Sequence, residues 1–216
     1  MRARAAAVLA AGALLAGAPA ASAGGPPFRS SVSVVGPAAR DAMTPSVWRP
    51  GCPVGFRDLR IVRVSTWTFG GRVRRGTIVV HRDVARQVVR VMRALFAARF
   101  PIRRMRPIEH YGGDDFRSIE ADNTSAFNCR TVGGSSRWSE HAYGRAIDLN
   151  PLENPYVSGG RTSHRGSRRY LDRSAGLPGM VVEGDAVVRA FDAAGWGWGG
   201  RWRGDKDYQH FSASGR

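Results

Sequence analysis

The sequence predicts an α+β domain built on an antiparallel sheet with flanking helices. Two strand-like runs joined by a Gly-Gly turn come first, and one long amphipathic helix follows them. The C-terminal part then returns to short strand-like runs between glycine-rich loops. Strands, a helix, loops and strands in this order are typical of a domain that packs helices on an antiparallel sheet.

The two strand-like runs lie at residues 62–69 and 77–81. Both are rich in β-branched or aromatic side chains, and Gly70-Gly71 between them is a turn signal. Short strands are also predicted at residues 146–149 and 208–211. Residues 103–140 lack a clear period and are predicted to be mostly loop, a length that is often functional inside a domain.

Two helices are predicted. The first begins after Asp83, which we expect to cap it, and ends near Phe100, before a proline. Its apolar residues fall on one helical stripe: Val84, Val88, Met92, Leu95 and Phe96. The second is expected to begin at a capping Asp185 and to end at Gly195.

The N-terminus has the pattern of an export signal. Arg2 and Arg4 precede an apolar run, and Ala21-Ser22-Ala23 is a small-x-small cleavage site. The run is shorter than the roughly 20 residues of a spanning helix, although a short membrane anchor is an alternative. We therefore predict a signal peptide at residues 1–23, no membrane span after its cleavage, and a secreted or cell-wall location.

The mature chain is predicted to have two parts. Residues 24–50 are rich in Gly, Pro, Ser and Ala and have little periodicity, so we expect a flexible leader. Residues 51–216 then form one folded domain, which we expect to be monomeric.

The formal net charge is +16, and almost all of the positive charge is arginine. Nucleic-acid binding is one interpretation, attraction to the anionic groups of a cell wall is a second, and a biased composition is a third. The arginines are scattered rather than gathered on one helix. Together with the export signal, this favours the wall, and no nucleic-acid partner is expected.

Cys52 and Cys129 are the two cysteines. In an exported protein an even number of cysteines indicates a disulfide, and neither residue sits in the C-x-x-C pair of a zinc site. The bridge would close a long loop, which stabilises the fold by about 4 kcal/mol in a chain-entropy account.

Two clusters could carry metal chemistry. His141 and Asp148 lie seven residues apart, and Gly144 between them favours a turn into a strand over a continuous helix. Asp207 and His210 form the second cluster, and a turn near Asp207 would bring both to one side. Imidazole and carboxylate both bind zinc, so His141, Asp148 and His210 could hold one Zn²⁺ with Asp207 as general base. A buried His–Asp hydrogen bond is the structural alternative.

The motif Ser-x-His-x-x-Gly-x-Ala-x-Asp at residues 139–148, followed by Asp-x-x-His-Phe at 207–211, resembles the D-alanyl-D-alanine carboxypeptidase (VanY-like) family of zinc peptidases. That group includes phage L-alanyl-D-glutamate endolysins and shares its fold with the Hedgehog signalling domain. Further similar segments are 122–130, Asn150-Pro151, 154–156 and 195–200. The resemblance covers roughly residues 52–211.

The resemblance implies zinc ligands at His141, Asp148 and His210, with Asp207 at the catalytic carboxylate position. Many members have Glu there. It also implies that Ser139 contacts substrate or orients its loop, and Arg130 is a loosely aligned candidate for binding a substrate carboxylate.

The expected activity is hydrolysis of peptide bonds in peptidoglycan stem peptides by a metal-activated water. Either a D-Ala-D-Ala carboxypeptidase or an L-Ala-D-Glu-type endopeptidase fits. A non-catalytic zinc-bearing wall-binding module is the alternative function, and a basic wall- or DNA-binding protein without metal is a second rival.

Overall fold

A computed structural model describes residues 25–216 of the chain. The predicted signal peptide at residues 1–23 lies outside the described residues. Within them, no helix combines the length and apolar character that a membrane crossing requires.

Three antiparallel strands form the larger sheet, in the order β1-β2-β3. They are β1 (Ser30–Val34), β2 (Leu59–Trp67) and β3 (Val73–His81). The predicted hairpin is confirmed, and Gly71 in its turn has a φ of 69°. Both hairpin strands begin before the predicted positions because backbone pairing continues past the apolar runs.

The expectation of a flexible leader at residues 24–50 is wrong where the structure describes it. β1 pairs with β2 over its whole length, and a short helix, α1 (Pro37–Met43), follows. Met43, at the end of this helix, and Val47, just after it, are both buried. An edge strand needs backbone hydrogen bonds more than an apolar pattern, and all five residues of β1 are exposed. The folded domain therefore begins before residue 51.

The long amphipathic helix is α2 (Ala85–Ala97), and its apolar stripe packs on the sheet. Val84 occupies its N-cap position without a side-chain cap. The predicted cap by Asp83 is wrong because that carboxylate accepts a hydrogen bond from Arg145 at 2.8 Å instead. Here a tertiary ion pair outweighs the local capping preference.

The region 103–140 contains short elements rather than a bare loop. β4 (Arg104–Met105) pairs in parallel with β5 (Asn123–Thr124), and α3 (Asp115–Glu120) lies between them. Asp114 caps α3 by accepting a hydrogen bond from the Arg117 amide.

The C-terminal part forms a second, smaller sheet with the order β6-β10-β8. Its strands are β6 (Ala146–Asp148), β8 (Gly197–Trp198) and β10 (His210–Ser212). A two-stranded pair lies next to it: β7 (Tyr156–Val157) and β9 (Lys206–Asp207). Helix α4 (Ala186–Asp192) starts at the predicted cap, Asp185, whose carboxylate accepts from the Val188 amide.

One core cluster joins the larger sheet, α2, α4 and the smaller sheet. A second cluster lies under α1 on the other face of the larger sheet and includes Cys129. The predicted disulfide is present, and the Cα atoms of Cys52 and Cys129 are 5.9 Å apart. The observed class is α+β, as predicted.

Candidate metal centre and cleft

The pairing of β6 with β10 brings two of the predicted metal ligands together. Asp148 lies directly opposite His210 in this antiparallel pair. Directly opposite residues project their side chains to the same face of a sheet, with Cβ atoms about 5 Å apart. Two residues far apart in the chain therefore share one face.

His141 reaches the same point from a 3₁₀ turn, Glu140–Tyr143, that precedes β6. Gly144 ends this turn with a φ of 66°, and a Cβ there would lie 2.7 Å from the His81 amide nitrogen. Glycine is therefore required both by the backbone conformation and by the lack of space. The turn into a strand at Gly144 that the sequence predicts is confirmed.

The three side chains converge closely. His141 Nε2 lies 3.1 Å from one carboxylate oxygen of Asp148, and His210 Nδ1 lies 3.1 Å from the other. The two ring nitrogens are 3.3 Å apart, and all three residues are buried. Tetrahedral ligands about 2.0–2.2 Å from one ion lie roughly 3.3–3.6 Å from one another, close to these separations.

Two backbone carbonyls orient the imidazoles. His141 Nδ1 lies 2.6 Å from the oxygen of Ala126, and His210 Nε2 lies 2.9 Å from the oxygen of Arg216. A carbonyl oxygen only accepts, so each of these nitrogens carries the proton. When both imidazoles are neutral, the opposite nitrogens present lone pairs towards the Asp148 carboxylate.

Such a donor set fits a divalent metal. Three lone-pair donors that face one another repel unless a cation lies between them, and the hydrogen-bonded carbonyls are the outer partners that metal-binding histidines usually have. Two imidazoles and one carboxylate form a set that zinc accepts. His141, Asp148 and His210 are therefore the residues that could hold the ion.

Without a metal, protonation reduces the repulsion between these three donors. Burial would raise the pKa of Asp148, but the charge of His141 and hydrogen bonds from both imidazoles hold the pKa well below its usual range. Burial by itself lowers the pKa of His210, yet the hydrogen bond and charge of Asp148 raise the pKa to about 9. Without a metal, Asp148 and His210 therefore form an ion pair at neutral pH.

Asp207 lines the same cleft from strand β9, and a turn at residues 208–209 separates it from His210. Its Oδ1 is buried and has no hydrogen-bond partner. Burial raises the pKa of Asp207 to about 6, against a lowering by the charge of His210. Gly199 packs so tightly here that a Cβ would lie 2.4 Å from the Asp207 carbonyl oxygen.

Ser139 and Arg130 both line the cleft. Ser139 caps the 3₁₀ turn by accepting a hydrogen bond from the His141 amide at 3.3 Å, so it orients the loop that carries His141. Arg130 forms an ion pair with Asp115 at 3.0 Å, and its buried Nε has no partner. The Asp115 carboxylate therefore holds the Arg130 guanidinium at the cleft wall, and Arg130 directly follows the disulfide-bonded Cys129.

The cleft has a volume of about 860 Å³ and contains side chains that the sequence did not single out for binding. Tyr156 lines it and donates a hydrogen bond to Asp205 at 2.7 Å. Its other newly found lining residues include two cations and one aromatic: Arg137, Arg203 and Trp138. Of these four residues, Tyr156 alone lies in a segment that carries the family resemblance.

The three tryptophans near the C-terminus occupy two different environments. Trp196 and Trp198 are buried in the core. Trp202 lines the cleft, and its ring centroid lies 5.5 Å from that of His210.

Comparison with known proteins agrees with this geometry. Residues 133–213 match the model of a family described as D-alanyl-D-alanine carboxypeptidase. The matched segment contains His141, Asp148, Asp207 and His210, and it confirms the family resemblance that the motifs indicated. The larger sheet lies outside it. No curated protein and no solved structure matches the chain.

Proposed function

We propose, from the match of residues 133–213 to this peptidase family, that the protein is an exported zinc-dependent peptidase. Its substrates would be the stem peptides of peptidoglycan. The observation that carries the proposal is the convergence of three buried metal-binding donors on a cleft that also contains an unpartnered carboxylate oxygen. The disulfide supports export because such bonds persist in oxidising compartments.

A divalent metal held by His141, Asp148 and His210 supplies Lewis acidity, which polarises a scissile carbonyl and lowers the pKa of water. The chain's own contribution to the chemistry is proton transfer. Asp207 takes a proton from the attacking water through its unpartnered oxygen and passes it to the leaving amine.

The environment of Asp207 suits this role. With a pKa of about 6, the carboxylate is ionised at neutral pH and yet basic enough to accept a proton. A carboxylate in water, with a pKa near 4, would be a weaker base. Burial therefore supplies the basicity that the reaction requires.

Substrate binding is assigned to the cationic wall of the cleft. Arg130 would bind a carboxylate of the stem peptide through its guanidinium, which forms bidentate pairs with such groups. Ser139 would keep His141 in place. If Arg130 binds the free C-terminal carboxylate of the substrate, the enzyme is a carboxypeptidase. An endopeptidase would instead bind the peptide along the open length of the cleft. Mass spectrometry of digested peptidoglycan distinguishes the two.

The variant Asp207→Ala tests the catalytic proposal. We expect it to retain about one zinc per chain and to lose hydrolysis of purified muropeptides by roughly 10²–10⁴-fold, the usual contribution of a general base. Asp41→Ala is the matched control, because Asp41 is exposed on α1. Metal content is measured by elemental analysis and turnover by chromatography.

The same experiment separates the alternative function. A non-catalytic zinc-bearing module that binds the wall would need no general base. Asp207→Ala and Asp41→Ala would then bind the wall equally well, and neither would show turnover. Wild-type protein with stoichiometric zinc but no turnover of any stem peptide would favour that module. A protein without stoichiometric zinc would contradict both.

A further inference from the structure

A second cleft, of about 390 Å³, lies on the face of the larger sheet that α1 covers in part. On this face Ile61 and Val79 are buried under α1. Further along the same strands their places are taken by Arg63 and Thr77, which lie directly opposite each other. The apolar half of the face thus gives way to a polar half where α1 no longer covers it.

The other wall of this cleft is the segment that follows β4. Met105 packs against Gly76, where a Cβ would lie 2.4 Å from the Met105 sulfur. This close approach places Arg106 beside β3, and Arg106 lines the cleft together with Arg75. Because Gly76 has no side chain, Met105 can approach β3, and Arg106 joins Arg63 and Arg75 in the cleft.

The three guanidiniums have no carboxylate partner. No ion pair found within residues 25–216 includes Arg63, Arg75 or Arg106. Arg63 donates to the Ser33 hydroxyl and Arg75 to the Ser31 hydroxyl, each at 3.2 Å. A guanidinium has five N–H donors, so most of the donors remain for a ligand.

Glu109 is the acidic residue in the lining of the cleft. Its Oε2 is buried and has no hydrogen-bond partner, so it does not neutralise the arginines through a direct contact. The lining therefore has an excess of positive charge, with the Thr77 hydroxyl as a further donor.

We propose that this basic cleft binds a phosphate group of a polyol phosphodiester polymer. Guanidinium forks match phosphate oxygens in pairs, and hydroxyl donors add to such a site. The imidazole of His110 is the one aromatic ring in the lining, and no Phe, Tyr or Trp is there on which successive nucleobases could stack, which disfavours single-stranded nucleic acid. The proposal does not depend on the peptidase reaction. Only the choice of a cell-wall polymer as the ligand depends on the predicted export.

The experiment measures the binding of a fluorescent poly(glycerol phosphate) oligomer to the full mature chain at fixed salt. The triple variant Arg63→Gln, Arg75→Gln, Arg106→Gln should bind at least about tenfold more weakly, because charge-assisted hydrogen bonds are lost. The control triple variant removes the same charge from exposed arginines elsewhere: Arg86→Gln, Arg90→Gln, Arg168→Gln. It should retain wild-type affinity within about twofold.

A variant with the opposite sign keeps the test independent of folding. Glu109→Gln removes the opposing charge, so it should bind the oligomer about two- to fivefold more tightly. A merely structural role of Glu109 would not produce tighter binding. Inorganic phosphate should compete with the oligomer in both the wild type and this variant.

Three outcomes would overturn the proposal. Equal losses in the two triple variants would indicate attraction by net charge alone. Binding of poly-glutamate as tight as that of the phosphodiester oligomer would indicate a general carboxylate site. Tighter binding of a single-stranded oligonucleotide of equal charge would indicate a nucleic-acid site. Muropeptide hydrolysis, measured in parallel, should be unchanged in all variants.

Discussion

Zinc affinity should rise steeply with pH, because a proton and the metal compete for His210. The raised pKa of about 9 means that His210 Nδ1 is protonated at neutral pH in the metal-free protein. A metal binds only the neutral imidazole. The pKa of Asp148 is held well below its usual range, so this carboxylate stays ionised and adds no dependence.

The sign and the size follow from this one proton. At pH 7, about one chain in a hundred has a neutral His210, so each unit of pH up to about 9 should strengthen the apparent zinc affinity about tenfold. Between pH 6.5 and 8.5 the gain is about a hundredfold, or about 2.7 kcal/mol. Above the pKa the affinity should level off. Asp207, with a pKa of about 6, contributes little in this window.

Competition with a chromophoric chelator across this pH range measures the affinity, and calorimetry in two buffers measures the protons released. About one proton per zinc ion is expected at pH 7.5. His164→Gln is the matched control, because His164 pairs with Glu120 outside the metal centre and should leave the slope unchanged. An affinity that is flat with pH, with no proton released, would refute the assignment of this proton to His210.

Three further predictions concern the position of Asp207 and the stability of the fold. Gly199→Ala should push the Asp207 backbone away and lower kcat roughly ten- to a hundredfold at unchanged zinc content, since its Cβ would lie 2.4 Å from that carbonyl oxygen; normal kcat would contradict this. Replacing Cys52 and Cys129 by Ser should lower the free energy of unfolding in urea by about 4 kcal/mol, and an unchanged midpoint would contradict the loop-closure account. Asn154→Ala should cost about 3 kcal/mol or more in the same assay, because buried backbone groups lose their amide partner, and a loss below 1 kcal/mol would contradict that role.

The sequence correctly predicted those elements that are determined by residues close together in the chain. The stripe of α2 and the hairpin around Gly71 follow from periodicity and turn chemistry, and both are present. The capping by Asp185 is likewise a contact between near neighbours. Asp83 has the same local signal, but its partner Arg145 is distant in the chain, and no window of sequence shows such a partner.

The sequence predicted that His141, Asp148 and His210 could bind one metal ion, and the structure brings their donor atoms within 4.8 Å of one another. The sequence could not show that Asp148 and His210 lie opposite each other, since register is a property of two strands. The carbonyls of Ala126 and Arg216, which orient the rings, have no side-chain signature at all. β1 was missed for a related reason, because its backbone rather than its side chains attaches it to the domain.

Phe211, next to His210 in β10, has a role beyond filling space. Its ring is fully buried and stacks on Phe191 with centroids 3.8 Å apart. Neighbouring residues of a strand point to opposite sides, so the phenyl ring can be sheltered from water only while the imidazole faces the cleft. A shift of β10 by one position would turn the phenyl ring towards the cleft and the imidazole into the apolar core. The burial of Phe211 on one side of β10 therefore fixes the direction in which the His210 imidazole points on the other side.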